Sequence, residues 1–190
     1  MKKLIALLLA LVMVGAMFTA CGGDKENEKD TDKGGQTVTT DKTPIADNME
    51  TTVNAIIEKN PVEFMGGLMP VDLTDTSEDG LWAIKSFTGL DSAEGLKDIA
   101  VYEPMMGSIA FSLVLVRVDD AANAKDIAQK MSDNIDTRKW ICVEADDKLV
   151  AGYSDVVMLI MVGSDSGLTA QSYVDTFEEV AGGEVDFTIQ

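Results

Sequence analysis

The chain has 190 residues, with 33 acidic side chains against 15 basic ones, a formal net charge of −18 and no histidine. Nucleic-acid affinity comes from phosphate neutralisation by Lys and Arg, so a field this negative excludes that partner. The missing imidazole excludes a Ser-His-Asp triad, a histidine zinc site and a histidine pH switch. Such a field attracts cations and basic polymers, although an acidic surface also serves simply to keep a secreted protein soluble.

In chain order, Met1, Lys2 and Lys3 are followed by an apolar run over 4–18 and then by Thr19-Ala20-Cys21. A basic, an apolar and a cleavage region in that order make a secretory signal. Ordinary cleavage after Ala20 would put bulky Phe18 where a small residue is needed. The apolar run of about 15 residues is shorter than the roughly 20 that span a bilayer. Phe18-Thr19-Ala20-Cys21 resembles the lipobox of bacterial lipoproteins, Leu-(Ala/Ser/Thr)-(Gly/Ala)-Cys, with Phe18 in place of the usual Leu. The resemblance implies a diacylglyceryl group on the Cys21 thiol, removal of the signal peptide 1–20, and Cys21 as the new N-terminus. Two acyl chains anchor stably. The expected location is therefore the outer face of the bacterial cell membrane, with Gly22 onward outside the cell.

Lipidated Cys21 and residues 22–43 form the next segment, which is polar and holds no aromatic residue and one valine. This composition predicts a disordered tether. Residues 44–190 form the third segment, a single domain. They carry 27 acids against 9 bases, so the domain alone holds a net −18. With Cys21 modified, Cys142 is the remaining thiol, and its apolar setting predicts a small buried hydrophobe.

The domain is predicted to open with a helix from Pro44, N-capped by Thr43, with Ile45, Met49, Val53, Ile56 and Ile57 on one face and a stop at Asn60-Pro61. Residues 62–75 read as a loop around Gly66-Gly67. A second helix over 78–88 is capped by Thr76 or Ser77 and ended by Gly89, with Leu81, Ile84 and Thr88 along one side and Trp82 beside them. Residues 99–103 and 109–118 form a hairpin. Asp119 or Asp120 caps a third helix to about Asp136, with Ala124, Ile127, Met131 and Ile135 facing inward. Strands follow at 140–145, 148–152 and 156–162, with turns at Asp146-Asp147 and Ser154-Asp155. Thr169 starts a fourth helix, with Tyr173, Phe177, Val180 and Ala181 inward and Gly182-Gly183 as its end. A short strand within 184–189 closes the chain.

The class is α+β, an antiparallel or mixed sheet of about four to six strands with about four packed helices in a hairpin–helix–hairpin–helix core. The runs 109–118 and 156–162 are apolar on both faces, so both faces of the sheet are expected to be covered, preferably by the domain's own helices.

The stretch 84–181 resembles a family of small uncharacterised lipoproteins of gut Firmicutes, a domain of unknown function. The resembling segments are Tyr102-Glu103-Pro104-Met105-Met106, the strand 109–118, the helix 121–131 and the strand–turn–strand 148–162. The resemblance implies a cell-surface location and a small α+β domain. It supplies no catalytic or cofactor-binding residue.

Few constellations carry chemistry. In the loop 72–80, Asp75, Ser77 and Asp79 sit at the first, third and fifth positions of a calcium loop, but Ser86 stands where a bidentate Glu is needed. The competing assignment is a helix start, with Ser77 as cap and Glu78 and Asp79 on the helix dipole. Adjacent Met105 and Met106 at a hairpin tip cannot easily both face the core. A buried bulge is the ordinary arrangement, and an exposed one offers a soft apolar partner contact. The function expected is a non-enzymatic binding or envelope-accessory domain, held to the membrane by its N-terminal lipid, with a protein or cell-wall partner; the sequence does not define an oligomeric state. The alternatives are an Asp/Glu-dependent hydrolase of cell-wall glycan and a calcium-dependent adhesion module, calcium being the one cofactor considered.

Overall fold

The computed structural model describes residues 45–190. The signal peptide, Cys21, the tether and the proposed Thr43-Pro44 helix start lie outside the described residues. Among the described residues there are four α-helices, α1 (Met49–Lys59), α2 (Glu78–Thr88), α3 (Ala124–Asn134) and α4 (Ala170–Ala181). The same residues hold six strands, β1 (Gly66–Met69), β2 (Leu96–Pro104), β3 (Phe111–Val118), β4 (Asp147–Tyr153), β5 (Val156–Val162) and β6 (Phe187–Ile189). They form one sheet in the order β1-β2-β3-β5-β4-β6, with every neighbouring pair antiparallel. This is the α+β class that the sequence predicts.

Alternation along β3 and β5 explains the layering. Leu113, Leu115, Met158 and Ile160 point to one face, where Met49, Val53 and Ile56 of α1 and Tyr173, Val174 and Phe177 of α4 cover them. Val114, Val116, Val157 and Leu159 point to the other face, under Ile84 of α2 and Ile127, Ala128 and Met131 of α3. The domain's own helices therefore cover both faces, as doubly apolar strands require. Phe111 lies at the centre of the first face, with Phe64, Tyr102 and Tyr173 rings at centroid distances of 5.2, 6.3 and 5.3 Å.

Helix ends follow the capping chemistry. Ser77 Oγ accepts from the Gly80 amide at 3.2 Å and Thr169 Oγ1 from that of Ser172 at 3.3 Å. Gly89 and Gly182 end α2 and α4 in the left-handed region. Asp120 caps a short 3₁₀ turn that leads into α3. No described helix is long and apolar enough to cross a membrane.

Four expectations need correction. The described first helix begins at Met49, with Asn48 as its cap; Ile45 and Ala46 lie outside the helix and give their carbonyls to Arg117. Residues 66–69 are a strand, since Gly66 lets β1 pass against the Tyr102 ring, whose nearest carbon would lie 2.6 Å from a Cβ there. Residues 140–145 are not a strand: Cys142 takes a φ of +63° and is exposed rather than buried. Asp146 and Asp147 form no turn. Their carboxylates reach across to the Ser164 and Ala170 amides, at 2.6 and 2.8 Å, and fasten the 3₁₀ turn Ser164–Ser166 and the start of α4 in turn.

Candidate functional site

The face of the sheet under α2 is apolar except at one end. Alternation along β2 places Glu103 on the side of Ile99 and Val101, and alternation along β3 places buried Ser112 on the side of Val114. Lys139, in the loop after α3, fills this polar gap. Its Nζ lies 2.5 Å from Glu103 Oε1, with only 10% and 14% of the two side chains exposed. It also donates to the Ser86 carbonyl at 3.1 Å and to Ser112 Oγ at 3.3 Å. The Glu103 contact is an ion contact rather than an aligned hydrogen bond. The Phe87 and Trp140 rings flank the ammonium, with centroids 5.2 and 5.3 Å away, inside cation–π range. Burial pushes the Lys139 pKa down, and the carboxylates of Glu103 and then Asp136 partly restore it.

A cleft of about 630 Å³ opens above this pair. Trp82 and Phe87 of α2 form one wall, Trp140 and Ile141 the other, and Pro104 and Gly107 of the hairpin tip the end. The chain has two tryptophans, and both line this cleft. Backbone bonds stitch the surrounding loops together: the Met105 amide donates to the Met65 carbonyl at 2.9 Å, and the Ile141 amide to the Gly107 carbonyl at 2.7 Å. A Cβ at Gly107 would lie 3.4 Å from Ile141 Cδ1, so Ile141 rests directly on the glycine.

Exposed apolar side chains stand in and beside this cleft: Trp82 and Ile141 line it, Met105 and Met106 lie between its lining residues Pro104 and Gly107, and Met65 is bonded through its backbone to Met105. Met65, Trp82, Met105, Met106 and Ile141 are each between 54% and 71% exposed. The sixth exposed large hydrophobic side chain among the described residues, Leu81, is next to Trp82 on α2. Single exposed apolar residues are ordinary, whereas a concentration of them marks a contact surface. Met105 and Met106 are therefore both exposed, in place of a buried bulge.

The other sequence candidates lie elsewhere. Asp75 Oδ1 accepts from the Ser77 amide at 2.9 Å, Ser77 caps α2, and Asp79 stands in its first turn. Asp72 Oδ1 accepts from the Thr74 amide and hydroxyl, at 2.8 and 2.7 Å. These bonds hold both carboxyls below their ordinary pKa. Among the described residues, no group of three or more His, Cys, Asp or Glu side chains is placed to hold a metal ion. The sequence reading missed Trp82, Glu103 and Lys139 as site residues. The available signals were a tryptophan off the buried stripe of α2 and a lysine beside the second tryptophan. Compared with known proteins, the chain matches no family model, no curated protein and no solved structure.

Proposed function

We propose that the chain is a bacterial lipoprotein of the small Firmicutes type that it resembles, anchored through Cys21 on the outer face of the membrane. Its domain works as a binding or envelope-accessory module that engages a protein partner through the Trp82–Trp140 cleft and its rim. One observation carries this: of the six exposed large hydrophobic side chains among the described residues, Trp82 and Ile141 line one cleft, and Met105 and Met106 directly follow its lining residue Pro104. The carboxylates in the cleft favour binding over hydrolysis. Glu103 is held by Lys139, and Asp136 Oδ1 accepts from the Arg138 amide at 2.8 Å.

The test is position-specific crosslinking in the native cell. A photoreactive residue at Met106 should capture a discrete partner, while one at Asp155 should not. Equal capture at both positions, or none at either, defeats the reading. Mass spectrometry of the mature N-terminus tests the anchor separately, and an unmodified Cys21 would refute it.

A further inference from the structure

We propose that the cleft takes a cationic, apolar-anchored peptide segment of a partner protein, presented at the end of the domain opposite the point where the chain enters it. This rests on the binding function above and adds the chemistry of the partner and the direction from which it comes.

The entry point is fixed by hydrogen bonds. Arg117 Nη2 donates to the carbonyls of Ile45 and Ala46 at 3.2 and 2.8 Å, and the Met49 amide donates to Asp98 Oδ2 at 2.8 Å. Arg117 and Asp98 face each other across the β2–β3 pair. Glu103, the hairpin tip and the cleft lie at the other end of the same two strands. Strand rise puts roughly 17 Å between Asp98 and Glu103. The polypeptide preceding Ile45 thus joins the domain at one end, and the apolar rim stands at the other.

Charge selects the partner. Lys139 donates to Ser86 and Ser112 and lies in ion contact with Glu103, so its charge is already matched. The other lysine of the cleft, Lys85, lies 2.7 Å from Asp91. The walls therefore offer an anionic ligand little. On α2, Glu78 and Asp79 stand four and three residues before Trp82, the spacing that brings helix side chains together. Neither of these two lines the cleft itself, whose own carboxylates are Asp136 and the Lys139-paired Glu103. The domain around it has 27 acids against 9 bases. A Lys or Arg lying over the open Trp82 ring would meet both the ring face and the carboxylates one turn away. Apolar side chains from the same segment would fill the cleft between the tryptophans and meet the methionines, whose flexible side chains adapt to varied shapes. Opposite potentials across an interface steer encounter and reject wrong partners.

The two tryptophans give a built-in readout. The full chain, held in neutral phosphocholine micelles, is titrated with a synthetic Lys/Leu amphipathic peptide while tryptophan emission is followed. The expected result is a saturable blue shift whose affinity falls about tenfold when salt screens the charges. Trp82→Ala should weaken binding about tenfold, with Trp140 as the remaining reporter, and Glu78→Lys with Asp79→Lys should do the same. Trp82 is exposed, so these variants are expected to fold, and unchanged thermal unfolding will confirm it.

Equal binding of a Glu/Leu peptide of the same length overturns the cationic assignment and leaves the binding function standing. So does preferential uptake by anionic vesicles, or self-association of the chain that buries the tryptophans. No emission change with any probe overturns the inference. If Met106 also captures no partner in the cell, the binding function falls with it.

Discussion

At the residue scale, Lys139 and Glu103 are the costliest pair in the domain to separate. Both are almost withdrawn from water, so removing one leaves the other buried without its counter-charge. Lys139→Met should cost about 3–5 kcal/mol. Adding Glu103→Leu should restore most of that, because a buried ion pair replaced on both sides by apolar groups is often neutral. Denaturant unfolding of the single and double variants measures both values. A single variant as stable as the parent would show that the pair is not buried in solution.

Tyr173 gives a second residue-scale outcome. Burial, helped by Tyr102, pushes its phenol up to about 12, from an ordinary value of 10.0. A folded pKa above the unfolded one means that the native state holds its proton longer. The resulting stability is complete below pH 10 and is lost as pH rises through about 12. Lys139 has the opposite sign: its lowered pKa costs stability near neutrality, and that cost is relieved as pH climbs towards 10.5. The alkaline decline should therefore steepen above 10.5, and Tyr173→Phe should flatten it. Melting temperature against pH, with phenolate absorbance followed in parallel, checks this.

Elements were legible in proportion to how local their causes are. The sequence locates α2 and α4 almost to the residue, because Ser77, Gly89, Thr169 and Gly182 mark their ends through bonds within one turn. β1 was not legible: a Gly-Gly pair reads as a loop unless one knows that the Tyr102 ring lies against it. The run at 140–145 fails for the converse reason. Its β-like composition is overridden when Lys139 is drawn to Glu103 and the Ile141 amide to Gly107. The site was illegible for the same cause, since residues 82, 103 and 139 meet only through the sheet. Gly152 tests the tertiary kind of constraint directly. The Phe187 ring of β6 occupies the place of its side chain, 2.2 Å from a Cβ built there. Gly152→Ala should displace β6 from β4 and cost about 1–3 kcal/mol. Hydrogen exchange should show faster exchange at residues 187–189 with β3 and β5 unaffected, and unchanged protection there would contradict the packing.

At the scale of the whole molecule, the balance is between an apolar core covered on both faces and a surface that repels itself. With 27 acids against 9 bases in residues 44–190, and basic side chains such as Lys59, Lys85 and Arg117 already paired, most of the negative charge is uncompensated. Exposed pairs such as Lys59–Glu179 contribute little and weaken in salt, whereas the long-range repulsion is screened over about 10 Å at ordinary ionic strength. Added salt should therefore stabilise the domain, raising its melting temperature at neutral pH. Acid acts differently. The Asp72, Asp75 and Asp146 carboxyls accept hydrogen bonds from Thr74, Ser77 and Ser164, and Asp91 is held by Lys85, so all four titrate below the ordinary 3.8. A depressed folded pKa contributes stability above 3.8 and loses it as pH falls through the folded value. The loop 72–77 and the short 3₁₀ turn at Ser164–Ser166 should loosen first, because three of these carboxyls tie them down. Calorimetry across salt and pH, with amide exchange at residues 72–80 and 164–170, follows both limbs. A melting temperature that falls with salt at neutral pH would mean that local pairs, rather than net charge, govern this surface.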